Sequence, residues 1–264
     1  MRTAIAIAAH PDDIEFMMAG TLLHLKDRGY EIHYFNLSCG NVGSIDHDGE
    51  TTALIRLEEA KEAARILGAH FHPPFCKDLE VYYDDQTLRR VAGVIRDVKP
   101  SVILTHSPSD YMEDHMVTCR LAVTAAFSRG MRNYRTIPER TAATYDCTIY
   151  HALPHTLRDE LRRPIIPGAF VNTTSVQAKK MEALKAHKSQ QTWLDVSQNM
   201  NSYLHAMEDI SLCVGRLSGK FTHAEGWRRH LHFGFCGPEA DPLKDLGDDY
   251  MLNEEFEKNI TANL

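Results

Sequence analysis

The first half of the chain alternates short apolar runs with longer amphipathic stretches. Uninterrupted apolar runs are typical of strands buried on both faces, and apolar positions three and four residues apart are typical of helices. Strands that alternate with helices of this length indicate a parallel, doubly wound sheet. The pattern predicts strands over residues 3–9, 32–38, 70–75 and 101–106, and helices over residues 14–25, 54–67, 88–98 and 113–129.

The second half is less regular. It predicts strands over residues 144–150 and 169–173, helices over residues 176–193 and 201–214, and a polar tail that starts near residue 237. We therefore predict a Rossmann-like α/β fold, a doubly wound and mostly parallel sheet with helices on both faces and strand order 3-2-1-4-5. Residues 1–264 would form a single domain, in which a core of about residues 1–150 carries the site and about residues 151–264 complete the cleft.

Composition and charge narrow the class of protein. The net charge of −7, without a block of Lys or Arg, makes nucleic acid and anionic membranes unexpected partners. Since the chain runs directly into an apolar segment without a basic region before it, we expect no signal peptide, and no apolar run is long enough to span a bilayer. The six cysteines are scattered without a C-x-x-C pair, which predicts free thiols in the cytoplasm. The sequence leaves the oligomeric state open, and a homo-oligomer is one of the options.

The strongest chemical motif follows the first strand. His10-Pro11-Asp12-Asp13 lies where that strand ends and a helix begins, at the edge where open parallel sheets bind ligands. An imidazole together with a carboxylate suits Zn²⁺. Successive residues at a helix start point about 100° apart, so one carboxylate could face a metal while its neighbour faces the open coordination position. The alternative is that Asp12 and Asp13 only cap the helix.

A second motif follows the fourth strand, where the loop carries D-Y-M-E-D-H at residues 110–115. Strands one and four are neighbours in the predicted order, so His115 could reach the space of His10 and Asp13. Three protein ligands and a water are the composition of a catalytic zinc site. Asp114 could orient a ligand or the loop. The alternative for His115 is an exposed histidine at a helix start.

These motifs resemble those of the LmbE-like (PIG-L) N-deacetylase family. The A-H-P-D-D sequence at the end of the first strand is specific, and D-H at residues 114–115 resembles the second family motif. Weaker marks extend the resemblance over roughly residues 3–227. They are a glycine-containing loop at 37–43, R-x-x-E-A from Arg56, Lys77-Asp78 in place of P-D-G, H-x-S-Q from His187, and A-E at 224–225.

The resemblance implies a zinc-dependent hydrolase that removes an N-acyl group, expected to be acetyl, from a small amino-sugar-type substrate or glycoconjugate. It assigns one Zn²⁺ per chain, or another divalent metal, to His10, Asp13 and His115, and the role of general base to Asp12. The metal would activate water and polarise the acyl oxygen. Residues expected to contact substrate or support the site are Arg56, Asp78, Tyr111, Asp114 and His187.

The chain departs from the family pattern at two positions. Many relatives have a histidine three residues before the ligand histidine, as general acid or oxyanion stabiliser, whereas this chain has Met112. Methionine cannot donate a proton, so the role is lost, passes to Asp12, or is replaced by one of three candidates. These are Tyr111, His106 and His187. Asn172 stands where relatives often have aspartate.

Other functions stay open. The same site could cleave another C–N bond, such as an amide with a larger acyl group, or the chain could be a catalytically silent metal- or sugar-binding homologue. Retention of Asp12 argues against silence, because binding alone needs no base beside the metal. A nucleotide-binding module is supported by the fold alone. His70-Phe71-His72 is predicted as a strand end, and His230-Leu231-His232 lacks a third ligand nearby.

Overall fold

The computed structural model describes residues 2–191 and 203–261. Its strands are β1 Thr3–Ala8, β2 Glu31–Asn36, β3 His70–His72, β4 Val102–Thr105, β5 Thr148–Ala152, β6 Ala169–Asn172, β7 Ala224–Arg229 and β8 Tyr250–Leu252. They form one sheet in the order β3-β2-β1-β4-β5-β7-β6-β8. The first five strands in this order are parallel, which confirms the predicted 3-2-1-4-5 arrangement, and β7, β6 and β8 continue the sheet with antiparallel pairs.

Helices cover both faces of the sheet. They are α1 Asp13–Met17, α2 Ala19–Asp27, α3 Gly49–Leu67, α4 Asp85–Val98, α5 Glu113–Phe127, α6 Gln177–Leu184, α7 Tyr203–Ser218 and α8 Glu254–Thr261, with 3₁₀ segments at Ser128–Gly130 and Pro242–Asp249. Side chains alternate along a strand, so Ala4 and Ala6 of β1 join one apolar cluster, while Ile5 and Ile7 join the other. The predicted fold class is confirmed.

Several predicted elements differ from the structure. The helix predicted over residues 14–25 is two helices, because the backbone turns out of the helical region at Met18. β5 begins four residues later than predicted, β7 was not predicted, and helix 176–193 ends at Leu184 before a turn. Residues 192–193 and 201–202, where the two predicted late helices end and begin, lie outside the described residues.

The prediction of a polar tail is wrong. Residues after 237 form a 3₁₀ segment, β8 and α8, because Asp241 is buried and accepts hydrogen bonds from the hydroxyls of Tyr150 and Tyr250 at 2.6 and 2.7 Å. The six cysteines are free thiols. Within residues 2–191 and 203–261, no helix combines the length and the apolar character needed to cross a membrane.

The buried carboxylate of Glu225 ties β7 to the start of α2 and forms an ion pair with Lys180 of α6. Glu225 accepts hydrogen bonds from the backbone N–H groups of Gly20 and Thr21, each at 2.8 Å, and from Lys180 Nζ at 2.8 Å. Glu225 is 2% exposed and Lys180 is fully buried. The first N–H groups of a helix have no partner within the helix, and Glu225, more than 200 residues later in the chain, accepts two of them here.

We expect Glu225→Ala to lower the free energy of unfolding by roughly 3–5 kcal/mol, because it leaves Lys180 as an unpaired buried charge. Chemical denaturation measures the change. Lys61→Ala is the control, since Lys61 pairs with Glu58 at the exposed surface and its loss should cost less than about 1 kcal/mol. Equal losses in the two variants would contradict a stabilising role for the buried pair.

Candidate metal centre

The carboxyl ends of the neighbouring strands β1 and β4 bring His10, Asp13 and His115 together. All three are buried, and one ligand atom of each lies within 4.8 Å of the other two. Asp13 Oδ2 is 3.3 Å from His10 Nδ1, and Asp13 Oδ1 is 3.3 Å from His115 Nε2. The group borders a cleft of about 590 Å³. The two sequence motifs therefore meet at one place.

Each of the two histidines has a carboxylate at its other ring nitrogen. His10 Nε2 lies 3.1 Å from Asp114 Oδ2, and His115 Nδ1 lies 3.2 Å from Asp110 Oδ1. Such partners fix the ring and leave the second nitrogen for a metal. Two imidazoles and a carboxylate that border a cleft fit a divalent metal with an open position. Asp114 lies where we expected a supporting residue, whereas Asp110, in the loop before α5, was not predicted.

A second group of potential ligands shares His115. His106, Asp110 and His115 also have ligand atoms within 4.8 Å of one another. However, His106 Nε2 accepts the N–H of Ala9 at 2.9 Å, and neither His106 nor Asp110 borders the cleft. The rings of His106 and His115 stack with centroids 4.1 Å apart. His106 thus packs beneath His115 and does not reach the cleft, so it is a poor candidate for the general acid.

The buried carboxylates and imidazoles shift one another's pKa values. Burial lowers the pKa of His10, but Asp114 and Asp13 outweigh it and raise the value to about 9. Burial likewise opposes protonation of His115, but Asp13 and Asp110 raise its pKa to about 10. Burial would raise the pKa of Asp13, yet His115 and His106 hold it well below the usual range. Since metal ligands must be deprotonated, a metal would replace protons held by these imidazoles.

Asp12 does not cap the first helix. Its side chain makes no capping bond, and its backbone has φ +116°, a conformation that costs a non-glycine residue of order 1–3 kcal/mol. Asp12 Oδ2 instead accepts the hydroxyl of Tyr203 at 2.8 Å and lies 3.8 Å from Arg56 Nη2, at the wall of the cleft. Burial raises the pKa of Asp12 to about 6, against the effect of Arg56. The capping explanation for Asp12 is wrong.

Arg56, on α3, secures the backbone beside the centre. Its guanidinium is almost fully buried and donates to the carbonyl oxygens of Pro11 at 2.6 Å and Gly40 at 3.0 Å. Gly40 has φ +72°, and a Cβ there would collide with the guanidinium. The glycine-containing loop at residues 37–43 and the R-x-x-E-A motif of α3 are separate motifs in the sequence, but they contact each other in the structure.

The remaining predicted residues have different positions. Asp78 borders the cleft and holds the glycine loop, because it accepts the hydroxyl of Ser38 and the N–H of Val42 at 3.1 Å. Tyr111 borders the cleft and is 48% exposed. His187 is fully buried outside the cleft lining, with Nε2 3.4 Å from Glu15 Oε1. Of these residues, His187 is therefore the one that cannot contact a substrate in this structure.

His155 borders the cleft although the sequence did not predict it. It follows β5, its Nε2 lies 3.4 Å from Asp13 Oδ1, and its ring stacks on Phe16 with centroids 4.9 Å apart. Among the described residues, Nε2 has no hydrogen-bond partner. Burial lowers the pKa of His155 to about 4. Met112 borders the same cleft. No spacing rule links His155 to the other motifs, so only the fold reveals it.

A doubly wound sheet with a His-Asp-His group and a carboxylate at its strand ends is the framework of a metal-dependent α/β enzyme. The sequence model of the PIG-L family, described as GlcNAc-PI de-N-acetylase, matches residues 5–127. A diacetylchitobiose deacetylase of Thermococcus kodakarensis is 30% identical over 235 residues, 86% of this chain and 83% of the relative. The chain belongs to the PIG-L family. This confirms the predicted family and, at the level of the family, the predicted class of enzyme, a deacetylase.

Hydratases are also among the similar proteins. A 4-oxalmesaconate hydratase of Pseudomonas putida is 30% identical over 198 residues, 72% of this chain and 74% of the relative. The crystal structure of the 4-carboxy-2-hydroxymuconate hydratase GalB from Pseudomonas putida superposes with a TM-score of 0.72 at 26% identity, covering 87% of this chain and 96% of that one. The similar proteins are thus named for two reactions, deacetylation and hydration. Fold similarity cannot decide between the two, so the choice has to rest on the residues of the site.

Proposed function

We propose that this chain is a zinc-dependent hydrolase that removes an N-acyl group, with acetyl expected, from an amino-sugar-type substrate. The position of Asp12 carries the proposal. Its carboxylate lies beside the three potential ligands at the cleft wall, in a costly backbone conformation and without a capping contact. A base in this place serves hydrolysis and is superfluous for binding alone. The family and the relative named for diacetylchitobiose support the substrate class.

The roles of the residues follow from their positions. His10, Asp13 and His115 would hold one Zn²⁺, which when bound lowers the pKa of water and polarises the acyl oxygen. Asp12 would accept the proton of the attacking water and deliver it to the amine nitrogen, which must be protonated before it leaves. The hydroxyl of Tyr203 engages Asp12 Oδ2 and so orients the other carboxylate oxygen.

We propose that His155 fills the role that Met112 cannot. His155 Nε2 lies 3.4 Å from Asp13 Oδ1 and has no hydrogen-bond partner among the described residues, so in the tautomer with its proton on Nε2 the N–H is available to a substrate. It is therefore placed to donate a hydrogen bond to the acyl oxygen as negative charge develops there. The other candidates are less suitable, because His106 and His187 do not border the cleft and Tyr111 is half exposed.

A hydratase is the second candidate, favoured by the hydratase names among the similar proteins. A substrate with several carboxylates requires cationic partners, usually arginine or lysine. In the described lining of the cleft, Arg56 is the one such residue, and its guanidinium is already bonded to two backbone carbonyls. The described lining therefore favours a substrate without carboxylates, such as an N-acyl sugar.

We also propose that residues 1–264 act as one unit. Residues 1–150 carry the ligand group and Asp12, while His155 and Tyr203 come from the later part and complete the surroundings of the same cleft. A cytoplasmic location stays a prediction.

We expect the purified protein to retain about one zinc per chain after dialysis. His115→Ala should lose this zinc, because only two ligands remain, and elemental analysis measures it. Asp110→Ala keeps all three ligands but removes the hydrogen-bond acceptor beside His115, so its metal affinity should fall by about 10–100-fold. Undiminished zinc in dialysed His115→Ala would show that the ligands are assigned wrongly.

Asp12→Asn should reduce amine release from N-acetyl amino sugars by about two to four orders of magnitude, because the amide cannot accept the proton. Its zinc content should stay at the wild-type value. Asp27→Asn, at the exposed end of α2, is the matched control and should leave the rate unchanged. Loss of zinc together with activity would place Asp12 among the ligands. Hydration of unsaturated carboxylic acids without any amine release would favour the second candidate.

His155→Ala should lower turnover by about 10²–10³-fold at unchanged zinc content, which is the usual effect of losing one donor to a developing oxyanion. His155→Gln retains an N–H group and should recover part of the rate. Met112→His in the His155→Ala background should also recover activity if the two positions share one role. Wild-type rates in His155→Ala would refute the assignment of His155.

A further inference from the structure

A second group of histidines lies at the other end of the sheet. β3 is an edge strand and runs parallel to β2, with His33 opposite His70. Glu31 precedes His33 by two residues, and His72 follows His70 by two. All four side chains therefore lie on the same face of the sheet. The sequence predicted this H-F-H segment only as a strand end.

Two distances in this group, from Glu31 to each of the two histidines, are close to those between ligands of one metal ion. Glu31 Oε1 lies 3.2 Å from His33 Nε2 and 3.5 Å from His70 Nε2. Two ligand atoms bound to tetrahedral Zn²⁺ at about 2.0–2.2 Å are separated by roughly 3.3–3.6 Å. The rings of His33 and His70 stack with centroids 5.0 Å apart, and the side chain of His70 is 65% exposed. His70 can therefore turn towards a shared ion without moving buried atoms.

His72 supports His33 in the way that outer partners support metal ligands. His33 Nδ1 lies 2.9 Å from His72 Nε2. Glu31 Oε1 accepts a hydrogen bond from His33 Nε2 at 3.2 Å, so metal binding requires this proton to move to Nδ1, from which it can donate to His72.

We propose that Glu31, His33 and His70 form a second metal site, which takes a divalent transition metal with water completing its coordination. Two imidazoles and one carboxylate suit Zn²⁺, whereas Ca²⁺ and Mg²⁺ take oxygen ligands. An ion there would link β2 to the edge strand β3 and so stabilise the folded chain.

The proposed site is separate from the cleft. His33 pairs with Ile5 of β1, and His10 follows five residues later. At about 3.3 Å per residue, His33 and His10 are roughly 16 Å apart along the strands. The proposal therefore does not depend on the catalytic role of His10, Asp13 and His115.

Calorimetric titration with Zn²⁺, starting from wild-type protein with its first zinc in place, tests the proposal. We expect one further equivalent to bind. His70→Ala should weaken this step by more than about 100-fold, because loss of a direct ligand exceeds the 10–100-fold effect expected for the supporting His72→Ala. His47→Ala, an exposed histidine in the loop before α3, is the matched control and should bind as wild type does.

A second measurement keeps the test independent of catalysis. Added Zn²⁺ should raise the Tm of the wild type, and this rise should disappear in His70→Ala. Amine release by His70→Ala with its first zinc should equal the wild-type rate. A further equivalent that persists in His70→Ala would overturn the proposal, as would its absence in the wild type at millimolar Zn²⁺. If the wild type lacks a first zinc, the equivalent that depends on His70 still decides this proposal, while the proposed function fails separately.

Discussion

The carboxylate of Asp13 is only 2% exposed, and a buried charge of this kind persists only where its surroundings compensate it. The backbone N–H of His10 donates to Oδ2 at 2.7 Å, and the imidazole Nε2 atoms of His115 and His155 lie 3.3 and 3.4 Å from Oδ1. These groups come from the β1–α1 connection, the first turn of α5 and the segment after β5. Compensation of one charge therefore fixes how three segments meet at the strand ends.

Local rules explain why part of this arrangement can be predicted from the sequence. β1 and β4 are apolar runs, and their adjacency follows from the topology of doubly wound sheets, so His10, Asp13 and His115 are expected together. His155, which borders the cleft, and Tyr203, which donates to Asp12, come from the half of the chain that adds antiparallel strands. No comparable topological rule fixes the order there, and only the folded chain brings these two side chains to the centre.

The other differences between predicted and observed elements have a common physical cause, which is that polar residues are buried in the interior of the protein. Glu225 makes β7 look too polar for a buried strand, yet its carboxylate binds the start of α2 and Lys180. The same contact explains why the first predicted helix is interrupted near Met18, since the new helix start gains an acceptor for its N–H groups. Sequence patterns equate polarity with exposure, and buried polar networks violate that rule.

The reaction is selected by the charge around the centre more than by the centre itself. Hydrolysis of an amide and hydration of a double bond both begin with an activated water, so Asp12 and the ligand group could serve either reaction. Away from the metal, a substrate carboxylate in this cleft would meet the carboxylates of Asp12 and Asp78, while Arg56 is committed to backbone carbonyls. Like charges at such short range repel. An N-acyl sugar brings no charge, and its hydroxyl groups can donate to the same carboxylates, so the described lining complements the substrate of a deacetylase.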